Sequence, residues 1–190
     1  MSALSWAAFG VWKSDPEARF TLVRLSIAAL NACVGFLFIG RDMAVKHASA
    51  RDVLFCLPSL LASGAALKLS PSPKTWPFWP SLVFCAGALF AMSALISLGK
   101  CFGLLPAARG ISMRGPFRWI RHPAYAGELA MLTACALAAE KQALAMLIVM
   151  GAAVFLSLRI RIEEKLLAQA FDEYAEYQRR VKYRLLPFVW

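Results

Sequence analysis

Two charged side chains stand where a helix should be apolar. Read at about 100° per residue, the segment Arg159–Val181 places Ile160, Leu166, Leu167, Ala170, Phe171, Tyr174, Tyr177 and Val181 on one stripe. Arg161, Lys165, Gln169, Asp172, Glu173, Glu176, Arg179 and Arg180 take the opposite face. Arg159 and Glu163 fall inside the apolar stripe, one turn apart, and Glu164 lies at its edge. A charge on a buried face is costly unless it is paired or in use. An i,i+4 Arg–Glu pair that anchors a helix near headgroups is the plain alternative. Exposed pairs of that kind contribute only roughly tenths of a kcal/mol, a weak reason to place both in the stripe, so the pair is read as part of a working site.

A second stretch, Leu98–Tyr125, reads LGKCFGLLPAARGISMRGPFRWIRHPAY. Gly99, Gly103, Pro106, Gly110, Gly115, Pro116 and Pro123 forbid one continuous helix and predict irregular backbone. Such backbone leaves N–H groups free, and Arg109, Arg114, Arg118 and Arg121 sit among them. The stretch can therefore hold an anionic or polar ligand. A basic loop tethered to anionic headgroups has the same composition.

Other chemistries lack their residues. No Ser/His/Asp or Cys/His nucleophile set is evident. The two histidines, His47 and His122, argue against a His-rich metal site, and no metal is expected. Cys33, Cys56, Cys85, Cys101 and Cys135 form no C-x-x-C pair and read as reduced packing residues.

The elements that must position these residues are membrane spans. Of the 190 residues, 60% are hydrophobic and 17% charged, and the apolar residues come in blocks. Thr21–Gly40, Val53–Leu69 (with Pro58 inside) and Trp76–Leu98 each match the roughly 20 residues that cross a bilayer. Gly127–Ala139 and Ala143–Leu158 read as a tight hairpin around Glu140–Gln142; a re-entrant hairpin is the alternative. The expected fold is an all-α polytopic membrane bundle of about five transmembrane helices. Its parts are an interfacial segment at 1–20, three spans at 21–98 and a catalytic region at 99–190. No cleavable signal peptide is expected, because charges surround a weak apolar patch at the start.

The net charge of +10 invites comparison with nucleic-acid binders. Its distribution fits a membrane better, and no nucleic-acid partner is expected. With five spans, the loops around Arg41–Arg51 and Lys100–Arg121 and the tail from Arg159 share one side and carry fifteen of the 21 basic residues. By the positive-inside bias that side is the cytoplasm and the N-terminus lies outside. Oligomeric state has no signature in the sequence.

The same residues carry a resemblance. Gly115-Pro116-Phe117-Arg118-Trp119-Ile120-Arg121-His122-Pro123-Ala124-Tyr125-Ala126-Gly127 resembles the G-x-Y-x-x-x-R-H-P-x-Y-x-G signature of the isoprenylcysteine carboxyl methyltransferase family. Arg159, Glu163-Glu164, Phe171 to Tyr177 and Leu186-Pro187-Phe188 resemble that family's R-x-x-x-E-E…F-x-x-E-Y-x-x-Y…P-F closing pattern. The resemblance covers about residues 98–188. It implies membrane-embedded methyl transfer from S-adenosylmethionine to a lipophilic acceptor that enters from the lipid. Carried over, Arg109, Gly110, Ile111, Ser112, Phe117, His122, Pro123, Ala124 and Tyr125 would line a cytoplasmic cofactor pocket. Glu163 would sit beside the cofactor, Arg159 would face the acceptor, and Leu186 and Pro187 would close a lid.

The resemblance implies an in-line displacement in which orientation and proximity supply most of the rate. Arg159 would then hold an acceptor carboxylate, such as that of a prenylcysteine-like compound, by a forked contact. Two positions depart from the pattern: Phe117 replaces a Tyr, and Glu128 follows Gly127 where an apolar or aromatic residue is common. Phospholipid N-methyltransferases share similar closing motifs, and an amine acceptor would give Glu163 or Glu128 a proton to take. A sterol-type reductase using a reduced nicotinamide, and a scaffold whose basic tail binds lipid, are the remaining alternatives.

Overall fold

The computed structural model describes residues 21–187. The expected interfacial segment at 1–20 and Phe188 of the closing motif lie outside the described residues. The chain forms α1 (Leu22–Gly40), α2 (Ala50–Leu69), α3 (Phe78–Leu98), α4 (Pro123–Ala138), α5 (Gln142–Ala170) and α6 (Tyr174–Arg180). Two residue pairs, β1 (Lys46–His47) and β2 (Ala107–Ala108), join antiparallel with Lys46 opposite Ala108. The fold is an all-α bundle, and four of its helices (α1, α2, α3 and α5) are long and apolar enough to cross a membrane. The fifth expected crossing, α4, has 16 residues and spans roughly 24 Å at about 1.5 Å per residue, short of a ~30 Å hydrocarbon core.

Local chemistry sets the helix limits. The side chains of Thr21 and Ser49 accept from the backbone N–H groups of Arg24 and Asp52, capping α1 and α2. Gly99 ends α3 at φ +54°, a conformation a residue with a Cβ resists. Pro123 opens α4, where its missing N–H costs nothing. Pro58 sits inside α2 without ending it; beside it, the Ser59 hydroxyl donates to the Cys56 carbonyl at 2.8 Å.

α3 and α4 cross closely at two glycines, Gly87 and Gly127. A Cβ on Gly127 would lie 2.6 Å from the Gly87 carbonyl oxygen and 2.8 Å from the Ala91 nitrogen. Small residues let backbones approach this closely in a membrane, where packing rather than water exclusion drives association. This crossing holds the start of α4, with His122 and Tyr125, against the end of α3.

Three basic segments gather at one end of the bundle. The β1–β2 pairing brings the loop after α1 to the loop after α3. The strand-like stretch after α6 lies on residues 120–122: Arg121 N–H donates to Tyr183 O and His122 N–H to Arg184 O, both at 2.9 Å. The irregular backbone expected at 98–125 is present between α3 and the start of α4 at Pro123, broken by two short turns of 3-10 helix and the two residues of β2.

One expectation needs correction. The segment 159–181 is not a single helix. α5 ends at Ala170, Phe171 turns to φ −140° and ψ 113°, and α6 starts at Tyr174. A straight helix would carry Tyr174 and Tyr177 away from the bundle into water; the turn folds both back, and both are buried.

Candidate functional site

α5 supplies the core of the site. At 29 residues it measures roughly 44 Å, so its last turns reach the basic end, beside the loop after α3. Arg159, 3% exposed, and Glu164, 5%, are buried there while Arg161 and Lys165 face outward. The start of α4 supplies His122, Tyr125 and Glu128, successive on one helix face.

These side chains interlock. The Tyr125 hydroxyl donates to Glu163 Oε1, and Arg159 Nε donates to the same oxygen at 3.4 Å. The Arg159 guanidinium carbon lies 4.8 Å from the Tyr125 ring centroid, a cation–π contact. Arg159 Nη2 also donates to the Leu104 carbonyl. The His122 ring stacks on Tyr125 with centroids 5.7 Å apart and planes 8° apart. Its Nδ1 is 4.0 Å from Glu163 Oε2 and its Nε2 is 3.3 Å from Glu164 Oε1.

Glu164 ties this set to the closing segment. Arg121 Nε donates to its Oε1 at 2.7 Å and Arg184 Nε to its Oε2 at 2.9 Å. Arg121 Nη1 reaches on to the carbonyls of Val181, at 2.7 Å, and Lys182, at 3.1 Å. A buried carboxylate with several charge-assisted partners is stable only while all of them are in place. The segment after α6 is therefore fastened to the site by these ion pairs, by its backbone hydrogen bonds to residues 121 and 122, and by burial of Leu185 against Leu156 and Ile160, while Leu186 is half exposed.

A cavity of about 240 Å³ opens on these groups. Of the expected site residues, Gly110, Ile111, Ser112, Phe117, His122, Ala124, Tyr125, Arg159 and Glu163 line it; Arg109, Pro123, Leu186 and Pro187 do not. Glu128, the departure from the family pattern, lines it too. Arg109 packs over Gly103 instead, where a Cβ would meet its Nη1 at 2.3 Å. Its Nε and Nη1 are buried without a hydrogen-bond partner among the described residues. Burial, and then Arg41 nearby, lower its pKa.

Sequence reasoning counted Arg121 only among the basic residues of the irregular stretch and assigned no site role to Glu164, Tyr174 or Tyr177. Tyr177 donates its hydroxyl to the Phe117 carbonyl at 2.8 Å. Tyr174 lines the cavity, is 1% exposed, and its hydroxyl has no hydrogen-bond partner among the described residues. Burial raises both phenol pKa values, so both remain donors. Both tyrosines lie in the closing motif, a signal that was available; what the motif does not reveal is that the turn at Phe171 aims them at the cavity.

A family model described as phospholipid methyltransferase matches residues 78–174, just over half of the chain. No curated protein matches it.

Proposed function

The chain belongs to the phospholipid methyltransferase family and is a membrane methyltransferase, and from that premise we propose that it moves the methyl group of S-adenosylmethionine to the polar head of a lipophilic acceptor. The observation that carries the reading is that buried Arg159 and half-buried Glu163 meet on the wall of one cavity, whose polar end passes into an apolar one.

The polar end fits the cofactor. The Tyr174 hydroxyl is a buried donor with no acceptor among the described residues, a state that costs free energy unless a ligand relieves it. Gly110, Ile111 and Ser112 bring irregular backbone to the wall, Phe117 and Tyr125 bring rings, and Glu163 and His122 bring polar atoms. These residues would hold the cofactor. Arg109 lies behind them, Pro123 sets the start of α4, and Leu186 and Pro187 belong to the closing segment. When bound, S-adenosylmethionine supplies a methyl group on a positively charged sulfur, open to in-line attack. The protein's part is to fix the angle and distance of approach and to exclude water. Tyr125 and Arg159 hold the Glu163 carboxylate in one orientation, and Glu164 does the same for His122.

Arg159 supports a carboxylate head, because a guanidinium edge matches a carboxylate geometrically. A second reading, an amine head as on a phospholipid, is favoured by Glu128, which lies one turn beyond Tyr125 on the same wall and gives a proton-accepting group for an ammonium. On either reading the basic end of the bundle faces the cytoplasm.

The test is incubation of the purified chain with methyl-labelled S-adenosylmethionine and a membrane lipid extract. Label that enters lipid and is released by mild base as methanol marks an ester, hence a carboxylate acceptor. Label that resists base marks an amine. No labelled lipid, together with tight binding of a reduced nicotinamide, would replace the proposal with the reductase reading.

A further inference from the structure

The cavity does not stop at the polar groups. Its wall follows one face of α4 from Tyr125 through Glu128 and Leu132 to Cys135, and runs along α3 from Leu98 to Phe84. At about 1.5 Å per residue these stretches cover roughly 15 Å on α4 and 20 Å on α3, much of a ~30 Å hydrocarbon core. Beyond Glu128 the α4 and α3 walls are apolar. The far end is firmly packed. Phe84 is 3% exposed and meets Trp76 edge-on with centroids 5.6 Å apart. The Trp76 indole N–H is itself tied to the Pro71 carbonyl at 2.9 Å. Cys135, 2% exposed, packs in the same core cluster.

We propose that this apolar arm holds one slender hydrocarbon chain of the acceptor and measures its length, with Phe84 and Cys135 as the stop. The proposal rests on the methyl-transfer reading, because the arm is continuous with the walls that carry Arg159 and Glu163. Three observations support it. The arm runs between α1, α3 and α4 with walls that are apolar apart from Asn31 on α1, so a hydrocarbon chain in it exchanges water for mostly apolar contacts. The whole cavity, about 240 Å³, is small beside the roughly 300–1,000 Å³ of ordinary ligand pockets. With the polar end in use, the arm takes one chain, and any second chain of the acceptor stays in the bilayer. Finally, the stop is a ring backed by a second ring that is hydrogen-bonded in place. Packed cores resist extra methylenes because neighbouring side chains cannot yield without strain.

Phe84 and Cys135 are thus specificity-determining residues for the acceptor's tail and take no part in the chemistry. The experiment uses the full chain in lipid nanodiscs, with straight-chain alkylamines and straight-chain fatty acids of increasing length as probes. Occupancy is read by native mass spectrometry at a fixed probe concentration in the bilayer. Two head groups are used so that the tail is tested independently of the head. The expected result is a cut-off: occupancy holds with length and then falls about tenfold within a methylene or two, the scale on which overpacking is felt in a core. Cys135→Leu should move the cut-off to shorter chains, and Phe84→Leu to longer ones. The wild-type series needs no variant, so a variant that fails to fold leaves the main test intact. Absence of a cut-off in both series would overturn the proposal, as would a cut-off that neither folded variant moves. The two readings separate cleanly. A cut-off without methylation of any extract lipid leaves the slot standing and removes the methyltransfer reading. Methylation without a cut-off does the reverse.

Discussion

Arg121 and Glu164 lie 43 positions apart and meet as a buried ion pair, Nε to Oε1 at 2.7 Å. The same guanidinium holds the carbonyls of Val181 and Lys182, so one pair fastens the loop, α5 and the closing segment together. Removing one partner leaves the other charged and buried, a loss on the order of 3–5 kcal/mol. Glu164→Gln should lower thermal stability in detergent, expose the tail after Arg180 to limited proteolysis, and weaken S-adenosylmethionine binding about tenfold or more. Wild-type cofactor affinity in a variant with a freed tail would show that the closing segment does not serve the site.

Glu163→Gln removes a carboxylate that accepts from Tyr125 and Arg159 while keeping its volume. Cofactor binding should fall, as read by calorimetry in nanodiscs. Arg159→Lys keeps the charge but loses the planar fork, so acceptor turnover should fall more than cofactor affinity. Arg161→Lys and Lys165→Gln, on the exposed face of α5, should change turnover less than about twofold, in keeping with the small worth of exposed charges. Equal losses for Arg159→Lys and Lys165→Gln would instead assign the effect to attraction between the helix and the headgroups.

Tyr174→Phe separates stability from binding. The hydroxyl is buried without a partner among the described residues, and deleting such a group relieves a cost of about 1–3 kcal/mol. The variant should unfold at the same temperature as wild type or higher, yet bind S-adenosylmethionine several-fold more weakly. A variant that binds as wild type does would place the hydroxyl outside the cofactor contacts. Tyr177→Phe, which loses a bond to Phe117 O, should lose stability instead.

Gly127 and Gly151 test the α3–α4 crossing. A methyl group at Gly127 meets backbone at 2.6 Å, whereas one at Gly151 meets nothing within 4 Å. Gly127→Ala should destabilise by about 1–3 kcal/mol through overpacking. Gly151→Ala should be neutral or stabilising by up to ~1 kcal/mol through helix propensity. Thermal unfolding of the two variants side by side checks the contrast; similar midpoints would dissolve it.

Reporter fusions placed after Lys74 and after Lys141 should both read as outside, and a fusion at the C-terminus as inside, from the distribution of Lys and Arg. A cytoplasmic reading after Lys141 would make α4 and the start of α5 a re-entrant pair.

Much of this protein follows from periodicity and run length alone. A run of about 20 apolar residues must satisfy its backbone internally in lipid, so α1, α2 and α3 are legible from composition, with ends within three residues of their observed limits. The 3.6-residue repeat of α5 is equally local, which is why Arg159 and Glu163 stand out as charges on a buried face before any partner is known. The density of Gly and Pro between Gly99 and Pro123 likewise announces irregular backbone. What tertiary structure decided is everything that depends on which distant groups meet. At the edge of the stripe Glu164 looked marginal; Arg121, His122 and Arg184 make it the hub of the site. Tyr174 and Tyr177 extend a helical pattern until Phe171 turns them inward. The apolar arm ending at Phe84 and Cys135 exists only because α3 and α4, brought close by Gly87 and Gly127, stand beside α1 and α2 without filling the space between. Helical periodicity is a property of neighbours along the chain, whereas charge pairing and cavities belong to neighbours in space.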